Sequence, residues 1–421
     1  MYPNPQEALP LPAHPSLEHY RKLAKALVKA CRSDDPQAIH VWALERLGVT
    51  PGDSLIESVE TYARTQLTKS ACALTSAQFV VARVHGFLSW PKFAKHIESL
   101  RRAGSPVYAY EKAVEAIVTG DADTLGRLLR RHRLLVRARS TREHGATLLH
   151  YVSANGVEGY RQKSPKNAAR IARMLLEAGA DVDATTDVYD GNCTALGLVA
   201  TSGPPFVAGV QHAVIEVLLE HGARVTLRGS AGRKGLLVHS CLANGQPEAA
   251  RYLLSRGAPL DLQSAAGLGQ LDAMKQLLPH ASRKNAIDAF LYAAAYGQAP
   301  VVEFFIAHDV DVDATLTSPW HGVGHTALHV AAFHGQLDAV KTLLRHGARI
   351  DAIDKTWKTP PLLWALAGWR QSGHTGQYYE VVAALVAAGA RVTPDIEQWK
   401  TVQADPKMLA ALRAIPIQPL T

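Results

Sequence analysis

The chain has 421 residues, of which 47% are hydrophobic, and a formal net charge of +8 at pH 7. It is long enough for one large domain or two to three average ones, and its hydrophobic content excludes disorder as the default state. The cysteines lie far apart without a CxxC pair, which indicates neither a disulfide framework nor a zinc ribbon and favours a reducing compartment: Cys31, Cys72, Cys193 and Cys241.

Residues 1–15 are rich in proline and predict a flexible N-terminus. They show no cationic region followed by an apolar run, and nowhere does the chain hold about 18 uninterrupted apolar residues. We therefore expect no secretion, no membrane association and a cytoplasmic location.

Residues 16–102 predict three or four helices, bounded by the proline-rich start and by "RRAGSPV". The stretch "GFLSWPKF" supplies an aromatic plug, and Pro91 suits the first turn of a helix. We interpret this region as a helical N-terminal cap domain for the remainder of the chain.

A basic stretch follows from Arg127 to Arg142, with seven arginines and no acidic residue. Such a stretch can attract nucleic acid or anionic lipid, in which case binding should depend steeply on salt. Without interleaved aromatic residues, a solvated helix face is the favoured interpretation, and no nucleic-acid partner is expected.

The segment "GHTALHVAAFHGQLDAVKTLLRHGARIDAID", Gly324 to Asp354, is the clearest copy of an internal repeat. Thr326 can cap the first of two helices, and His329, one turn later, can return a hydrogen bond to that turn. Gly335 permits the tight turn between the helices, and Gly347 suits the left-handed end of the second.

This segment resembles the ankyrin repeat, and seven weaker copies ending in variants of "LL..GA" extend the array over residues 108–394. The resemblance implies an all-α fold, a solenoid of helix-turn-helix repeats with short β-hairpin loops. A small helical bundle precedes it, and residues 395–421 form a capping helix and tail. One repeat cannot bury its own apolar face, so we expect a single cooperative stack. "SAQFVVARVHGFLSWPKFAKHIESL" and "NGVEGYRQ" also resemble a group of bacterial ankyrin-repeat proteins whose activity their motifs do not settle.

The array departs from a regular period. Between Gly257 and His280 the spacing shrinks to 23 residues, which indicates a deleted hairpin. Three helix-to-helix turns are lengthened, at residues 156–167, 201–211 and 368–379, and residues 315–325 lengthen one hairpin.

The first two lengthened turns belong to adjacent repeats and should be neighbours. They offer possible ligand-binding residues for a small anionic or carboxylate ligand, which arginine binds bidentately: Tyr160, Arg161, Gln162, Lys163, Thr201 and Ser202. The alternative is that Tyr160 and Arg161 lock two long loops together.

A protein partner is expected in the concave groove of the solenoid, because Trp, Tyr and Arg are the residues typical of binding hot spots. The candidate partner-binding residues are Trp320, His321, His325, Phe333, His334, Trp357, Trp364, Trp369 and Arg370. Trp357 and Trp364 could instead fill space left by lost contacts.

No catalytic motif is found, and no cofactor is expected. His321, His325 and His329 recur every fourth residue, but without an acidic partner they do not indicate a metal site. The "DVDA" aspartates are explained by turn chemistry. We therefore expect an ankyrin-repeat interaction protein; the alternative is a small-molecule-binding protein or unorthodox enzyme at the inserted loops.

Overall fold

The computed structural model describes residues 4–47, 54–189, 191–226, 236–318, 322–372 and 376–413. The chain divides into two compact units, Met1–Pro259 and Leu260–Thr421, which we call unit 1 and unit 2. The division falls at the shortened spacing that follows Gly257. The described residues are mostly helical, as predicted, with two short two-stranded sheets.

Within its described residues, unit 1 begins with a bundle of five helices, where the sequence predicted three or four. Its core includes Tyr20 and Trp42, and the predicted aromatic plug is confirmed because Phe87 and Phe93 are completely buried. Pro91 lies in the first turn of the last helix, as expected. The helices are α1 Leu17–Cys31, α2 Ala38–Leu47, α3 Ser54–Thr68, α4 Leu74–Val84 and α5 Trp90–Leu100.

Cys31 and Cys72 form a disulfide, which corrects the expectation drawn from their spacing. Cys31 is the last residue of α1, and Cys72 lies in the turn between α3 and α4. Because α1 packs against α4, the two Cα atoms are 5.9 Å apart although 41 residues separate them in sequence. Disulfides persist in oxidising environments, so this bond speaks against the reducing compartment that the cysteine spacing favoured.

Residues 4–9 pack against this bundle, although the sequence predicted flexibility for residues 1–15. Asn4 caps the short 3-10 helix Pro5–Glu7. Ala8 and Leu9 are buried, and the Leu9 N–H donates a hydrogen bond to the Val84 carbonyl at 2.8 Å. The apolar side chains of this segment are therefore buried against the bundle, and Leu9 belongs to its core.

Helix pairs follow the bundle in unit 1. Successive first helices contact one another, as do successive second helices from the second pair onward, so apolar faces are buried between neighbouring pairs. The elements are α6 Pro106–Thr119, α7 Ala122–Arg131, α8 Leu148–Val152, α9 Ala168–Glu177, β1 Thr185–Thr186, β2 Cys193–Thr194, α10 Ala195–Ala200, α11 Gly203–Val207, α12 Gln211–Glu220, α13 Leu237–Ala243 and α14 Pro247–Ser255, with 3-10 turns at Leu135–Arg137 and Gly159–Arg161.

Unit 2 continues with the same helix-pair pattern around its own core. Its last three short helices follow the final pair at the place where a capping helix was predicted. The elements are α15 Leu262–Gly267, α16 Leu271–Leu277, α17 Arg283–Ala295, α18 Ala299–Ala307, β3 Leu316–Ser318, β4 Gly322–His325, α19 Ala327–Phe333, α20 Leu337–Arg345, α21 Pro361–Gln371, α22 Tyr378–Ala387, α23 Pro394–Gln398, α24 Lys400–Gln403 and α25 Pro406–Leu412, with a 3-10 turn at Leu278–His280.

The predicted histidine caps are confirmed. In α19, the Thr326 N–H donates to His329 Nδ1 at 3.1 Å, and Thr326 Oγ1 lies 2.9 Å from the same nitrogen. The other ring nitrogen of His329 lies 3.2 Å from the Thr359 carbonyl of the next repeat. Thr147 and His150 repeat the arrangement at α8. His150 and His329 therefore each tie their own repeat to the next one, through the Cys193 and Thr359 carbonyls.

The "DVDA" aspartates also act structurally. The first aspartate of each hairpin accepts a hydrogen bond from the backbone of the second. The second aspartate then binds an arginine of the next repeat, with Asp183 Oδ2 2.6 Å from Arg224 Nε and Asp313 Oδ2 3.2 Å from Arg349 Nε. Their carboxylates thus join neighbouring hairpins, in agreement with the turn chemistry expected of them.

Candidate functional site

An ordered loop in unit 2 exposes a tryptophan. We call residues 354–359, between α20 and α21, the Trp357 loop. The carboxylate of Asp354 accepts hydrogen bonds from the N–H groups of Thr356 at 2.8 Å and Trp357 at 2.6 Å through one oxygen. Its other oxygen accepts from the Thr359 N–H at 3.0 Å and hydroxyl at 2.9 Å. Asp354 is 1% exposed, whereas Trp357 is 55% exposed.

The pKa of Asp354 agrees with a carboxylate that organises the Trp357 loop by accepting hydrogen bonds. Burial alone would raise the pKa of the carboxyl, but hydrogen bonds from the Trp357 and Thr359 backbone outweigh burial and lower the pKa to about 2. The loop is also joined to β4, because the Val323 N–H donates to Thr356 Oγ1 at 2.7 Å and the Lys355 N–H donates to the Val323 carbonyl at 2.8 Å. The backbone that carries Trp357 is therefore held in place before any partner arrives.

Trp364, at the start of α21, links the loop to the preceding repeat. Its ring centroid lies 5.1 Å from that of Trp357 and 5.9 Å from that of Phe333, both in edge-on contacts. Its indole nitrogen lies 3.4 Å from Asp354 Oδ2. Since Phe333 is half-buried and His334 is exposed beside it, the aromatic rings continue from the Trp357 loop to the end of α19.

The predicted partner-binding residues divide by accessibility. Trp357, His334 and Arg370 are exposed and Phe333 is half-buried, so they can touch a partner. Three others belong to the core, which corrects the prediction that they contact a partner directly: His325 (1% exposed), Trp364 (6%) and Trp369 (0%). Trp364 thus fills space between repeats, as the alternative interpretation held. Trp320 and His321 lie outside the described residues.

In unit 1, the two inserted turns are neighbours, as predicted. Ser202 Oγ donates to the Ala154 carbonyl at 3.1 Å, and Lys166 Nζ donates to the Ala208 carbonyl at 2.8 Å. The second insertion is not a loop throughout, because its prolines begin the short helix α11. The first insertion faces the N-terminal segment, and a Cβ on Gly159 would lie 2.7 Å from the Gln6 carbonyl oxygen.

A buried ion network joins the first inserted turn to α6 and to the end of the basic stretch. Glu111 accepts from both arginines, with Oε1 2.7 Å from an Arg142 nitrogen and Oε2 2.6 Å from an Arg161 nitrogen. Glu158 Oε1 lies 2.8 Å from Arg142 Nε and 3.4 Å from Arg161. The side chains of Arg142 and Glu158 are at most 1% exposed. Two arginines therefore balance two carboxylates largely out of contact with solvent.

The pKa shifts reflect this balance. Burial would raise the pKa of Glu111, but Arg142 and Arg161 outweigh it and lower the pKa to about 2. The pKa of Glu158 likewise lies well below its usual range, because Arg142, His144 and Arg161 outweigh burial. Both carboxyls thus remain ionised, as an ion network requires.

Buried histidines predict acid sensitivity. Burial lowers the pKa of His85, His96 and His150 from 6.5 to about 4. As pH falls, the histidines of the unfolded chain become protonated before those of the folded chain. The free energy of unfolding is therefore unaffected by these histidines above pH 6.5 and decreases as pH falls toward 4. We expect the free energy of unfolding to drop by about 1–2 kcal/mol per histidine at pH 5. Urea denaturation at pH 7 and pH 5 measures the drop.

His85→Leu provides the control for this prediction. It removes one titrating group next to Phe93 and should leave a smaller difference between the two pH values than the unmodified chain shows. An identical difference in both proteins would contradict the assignment.

The predicted ligand-binding residues are engaged within the chain. Arg161 pairs with two carboxylates, and its guanidinium lies 5.4 Å from the centroid of the Tyr160 ring. The Gln162 amide donates to the Val157 carbonyl, Thr201 caps α10, and only Lys163 of the set is exposed. These contacts favour the alternative in which Tyr160 and Arg161 lock the loops together.

The acidic residues that organise the Trp357 loop and the buried ion network were not among the predicted site residues. Glu158 is a single acidic residue within the glycine-containing stretch "NGVEGYR", and such isolation is a signal that could have indicated burial. Glu111 lies beside Lys112 and four residues before Glu115, so its sequence context gave no such signal. Asp354 gave a similar signal as an aspartate before "KTWKT", a spacing typical of side-chain hydrogen bonds to a turn.

Of the seven arginines in the basic stretch, six are exposed or half-buried and Arg142 is buried, so the stretch is not one uniform face. Within the described parts of the chain, no three His, Cys, Asp or Glu side chains come together in a way that could hold a metal ion. No described helix combines the length and the apolar character needed to cross a bilayer.

Family models match two parts of the chain: "Ankyrin repeats (3 copies)" over residues 262–354 and "Ankyrin repeat" over residues 144–187. The chain is 31% identical over 116 residues to cyclin-dependent kinase 4 inhibitor B of Rattus norvegicus, which covers 26% of this chain and 83% of that protein. The Bos taurus protein of the same name is 33% identical over 25% of this chain and 79% of its own length.

Inversin of Danio rerio is 32% identical over 94 residues, covering 21% of this chain and 9% of that protein. Among solved structures, the human ASB11 ankyrin repeat domain is similar at 19% identity and a TM-score of 0.35, covering 67% of this chain and 99% of that one. On the sequence matches and the repeated helix pairs, the chain belongs to the ankyrin-repeat family.

Proposed function

We propose that this chain is an interaction protein that binds a protein partner through the exposed aromatic residues of unit 2. The observation that carries the proposal is Trp357, more than half exposed on a loop that a buried carboxylate holds in place. A partner that covers this indole would remove apolar area from water, which is favourable by roughly 25 cal/mol per Å². Because the loop is already ordered, a partner would not have to supply the free energy of ordering it.

The contact surface would include Trp357, Phe333 and His334, flanked by the exposed lysines Lys355 and Lys358. Tryptophan is enriched among the residues that dominate binding energy, particularly where its neighbours are packed. A partner that fits this surface would present an apolar pocket for the indole with acidic residues at its rim. The relatives' name, cyclin-dependent kinase 4 inhibitor B, denotes action on another protein and supports a protein as the class of partner.

The experiment compares proteins retained from a lysate by the unmodified chain, by Trp357→Ala and by Phe206→Ala. Phe206 is a matched control, since it is 52% exposed but lies in α11 of unit 1. We expect Trp357→Ala to reduce affinity for the retained protein at least about tenfold, with little change in Phe206→Ala.

The opposite pattern, retention by Trp357→Ala and loss by Phe206→Ala, would contradict the proposed surface. Asp354→Asn is a second test, because it keeps the indole and weakens the loop's hydrogen bonds. It should reduce affinity while the helical circular dichroism signal stays unchanged.

A bacterial origin and a cytoplasmic location remain predictions from the sequence. The relatives named above come from vertebrates, and the disulfide Cys31–Cys72 weighs against a reducing compartment. A small anionic ligand at the inserted loops also remains a prediction, although Arg161 already pairs with Glu111 and Glu158 within the chain.

A further inference from the structure

A groove lies in unit 2 at a place where the chain lacks a β-hairpin. Between α16 and α17 the connection is limited to residues 278–282, which include a 3-10 turn. The next connection of this kind, between α18 and α19, spans residues 308–326 and contains β3 and β4. Hairpins of stacked repeats lie side by side, so the shortened connection leaves the end of α18 without its usual cover.

The groove has a volume of about 670 Å³ and is lined by residues from all three helices around it. This volume falls within the range of roughly 300–1,000 Å³ typical of small-molecule sites. Leu278, Phe304 and Val310 form its apolar wall, and each of them is partly buried against the core of unit 2. The apolar surface is therefore held by the fold and does not depend on mobile side chains.

Cationic side chains lie along the same groove. Lys275 and Arg283 both line it, while Asp309 is the carboxylate among the lining residues. Lys275 is 3.2 Å from Asp272, but both side chains are well exposed, so their pairing is weak. Among the described residues, none forms an ion pair with Arg283.

Arg283 is also the first residue of α17, a helix of 13 residues. Ser282 caps this helix by accepting a hydrogen bond from the Asn285 N–H at 3.2 Å. The partial positive charge of the first helical turn adds to that of the guanidinium. The groove therefore combines apolar lining residues with two cationic side chains and one carboxylate, so that its charged lining residues carry a net positive charge.

We propose that this groove binds a small carboxylate that carries an apolar body. The carboxylate contacts Arg283 and Lys275, and the apolar body packs against Leu278, Phe304 and Val310. Arginine binds a carboxylate through two parallel hydrogen bonds, which gives the site both charge and orientation. The site shares no residue with the surface proposed for a protein partner and is independent of it.

The test uses the full chain and two probes of similar shape, 1-naphthoate and its uncharged analogue 1-naphthalenemethanol, in isothermal titration calorimetry. We expect saturable binding of 1-naphthoate that is about tenfold or more tighter than that of the alcohol. Arg283→Gln should weaken 1-naphthoate binding by a similar factor. Lys284→Gln is the matched control, since Lys284 is the adjacent exposed cation and does not line the groove.

Three results would overturn the proposal: no saturable binding of 1-naphthoate, equal affinity for acid and alcohol, or equal effects of Arg283→Gln and Lys284→Gln. Because Arg283 is an exposed residue at a helix start, the variant is expected to fold, which its circular dichroism spectrum verifies.

Discussion

Arg142→Ala is expected to lower the free energy of unfolding of unit 1 by about 3–5 kcal/mol. The substitution leaves the buried carboxylate of Glu158 without its nearest cation and removes one of the two arginines that bind Glu111. An uncompensated charge in a site with almost no solvent contact is costly because neither water nor a counterion replaces the lost partner. Urea denaturation followed by circular dichroism measures the change.

Arg173→Ala is the matched control for this prediction. Arg173 forms an ion pair of 2.7 Å with Glu220, but both side chains are more than 40% exposed. Its loss should cost no more than about 1 kcal/mol, since exposed pairs are screened by water and salt. If both variants lost stability equally, the buried ion network would contribute no more to stability than an exposed ion pair, which would contradict this prediction.

The second large effect is expected from Gly368→Ala in α21. A Cβ at this position would lie 1.9 Å from the backbone oxygen of Phe333 and 2.8 Å from its carbonyl carbon. Backbone atoms cannot rotate away as a side chain can, so α19 and α21 would have to separate. We expect a loss of about 3 kcal/mol or more in the free energy of unfolding of unit 2, measured by urea denaturation.

Gly126→Ala tests whether this effect is steric. Gly126 is also helical, but a Cβ there would meet only the ends of two flexible side chains, Arg130 and Met174. Alanine is the better helix former, so this variant should gain about 0.5–1 kcal/mol. Equal destabilisation by both substitutions would show that the close approach to Phe333 is not the cause.

The inserted turn at residues 156–167 has a structural role in unit 1. Its glutamate and arginine complete an ion network with α6, and its backbone at Gly159 lies against the N-terminal segment. A standard two-residue turn has no side chains that could reach these places. The insertion therefore contributes to how the helical bundle and the first repeats of unit 1 are joined.

The sequence by itself determined the helix pairs, their histidine caps and the positions of the irregular units. These features depend on local chemistry: Thr326 and His329 lie one turn apart, and Gly335 and Gly347 both adopt the left-handed conformation that glycine tolerates. Wherever a residue's role is decided within one or two helical turns, its neighbours in sequence are also its neighbours in space.

Only the tertiary structure decided which aromatic and charged residues remain accessible. Trp357 and Trp364 are both tryptophans of the same repeat, yet Trp357 is exposed and Trp364 is buried. Asp354 holds Trp357 on a loop, whereas Trp364 packs between repeats. Glu111, Arg142 and Arg161 come from three separate segments, and Cys31 meets Cys72 across 41 residues. Burial and pairing between distant segments depend on how helices pack, and no local pattern of residues encodes that packing.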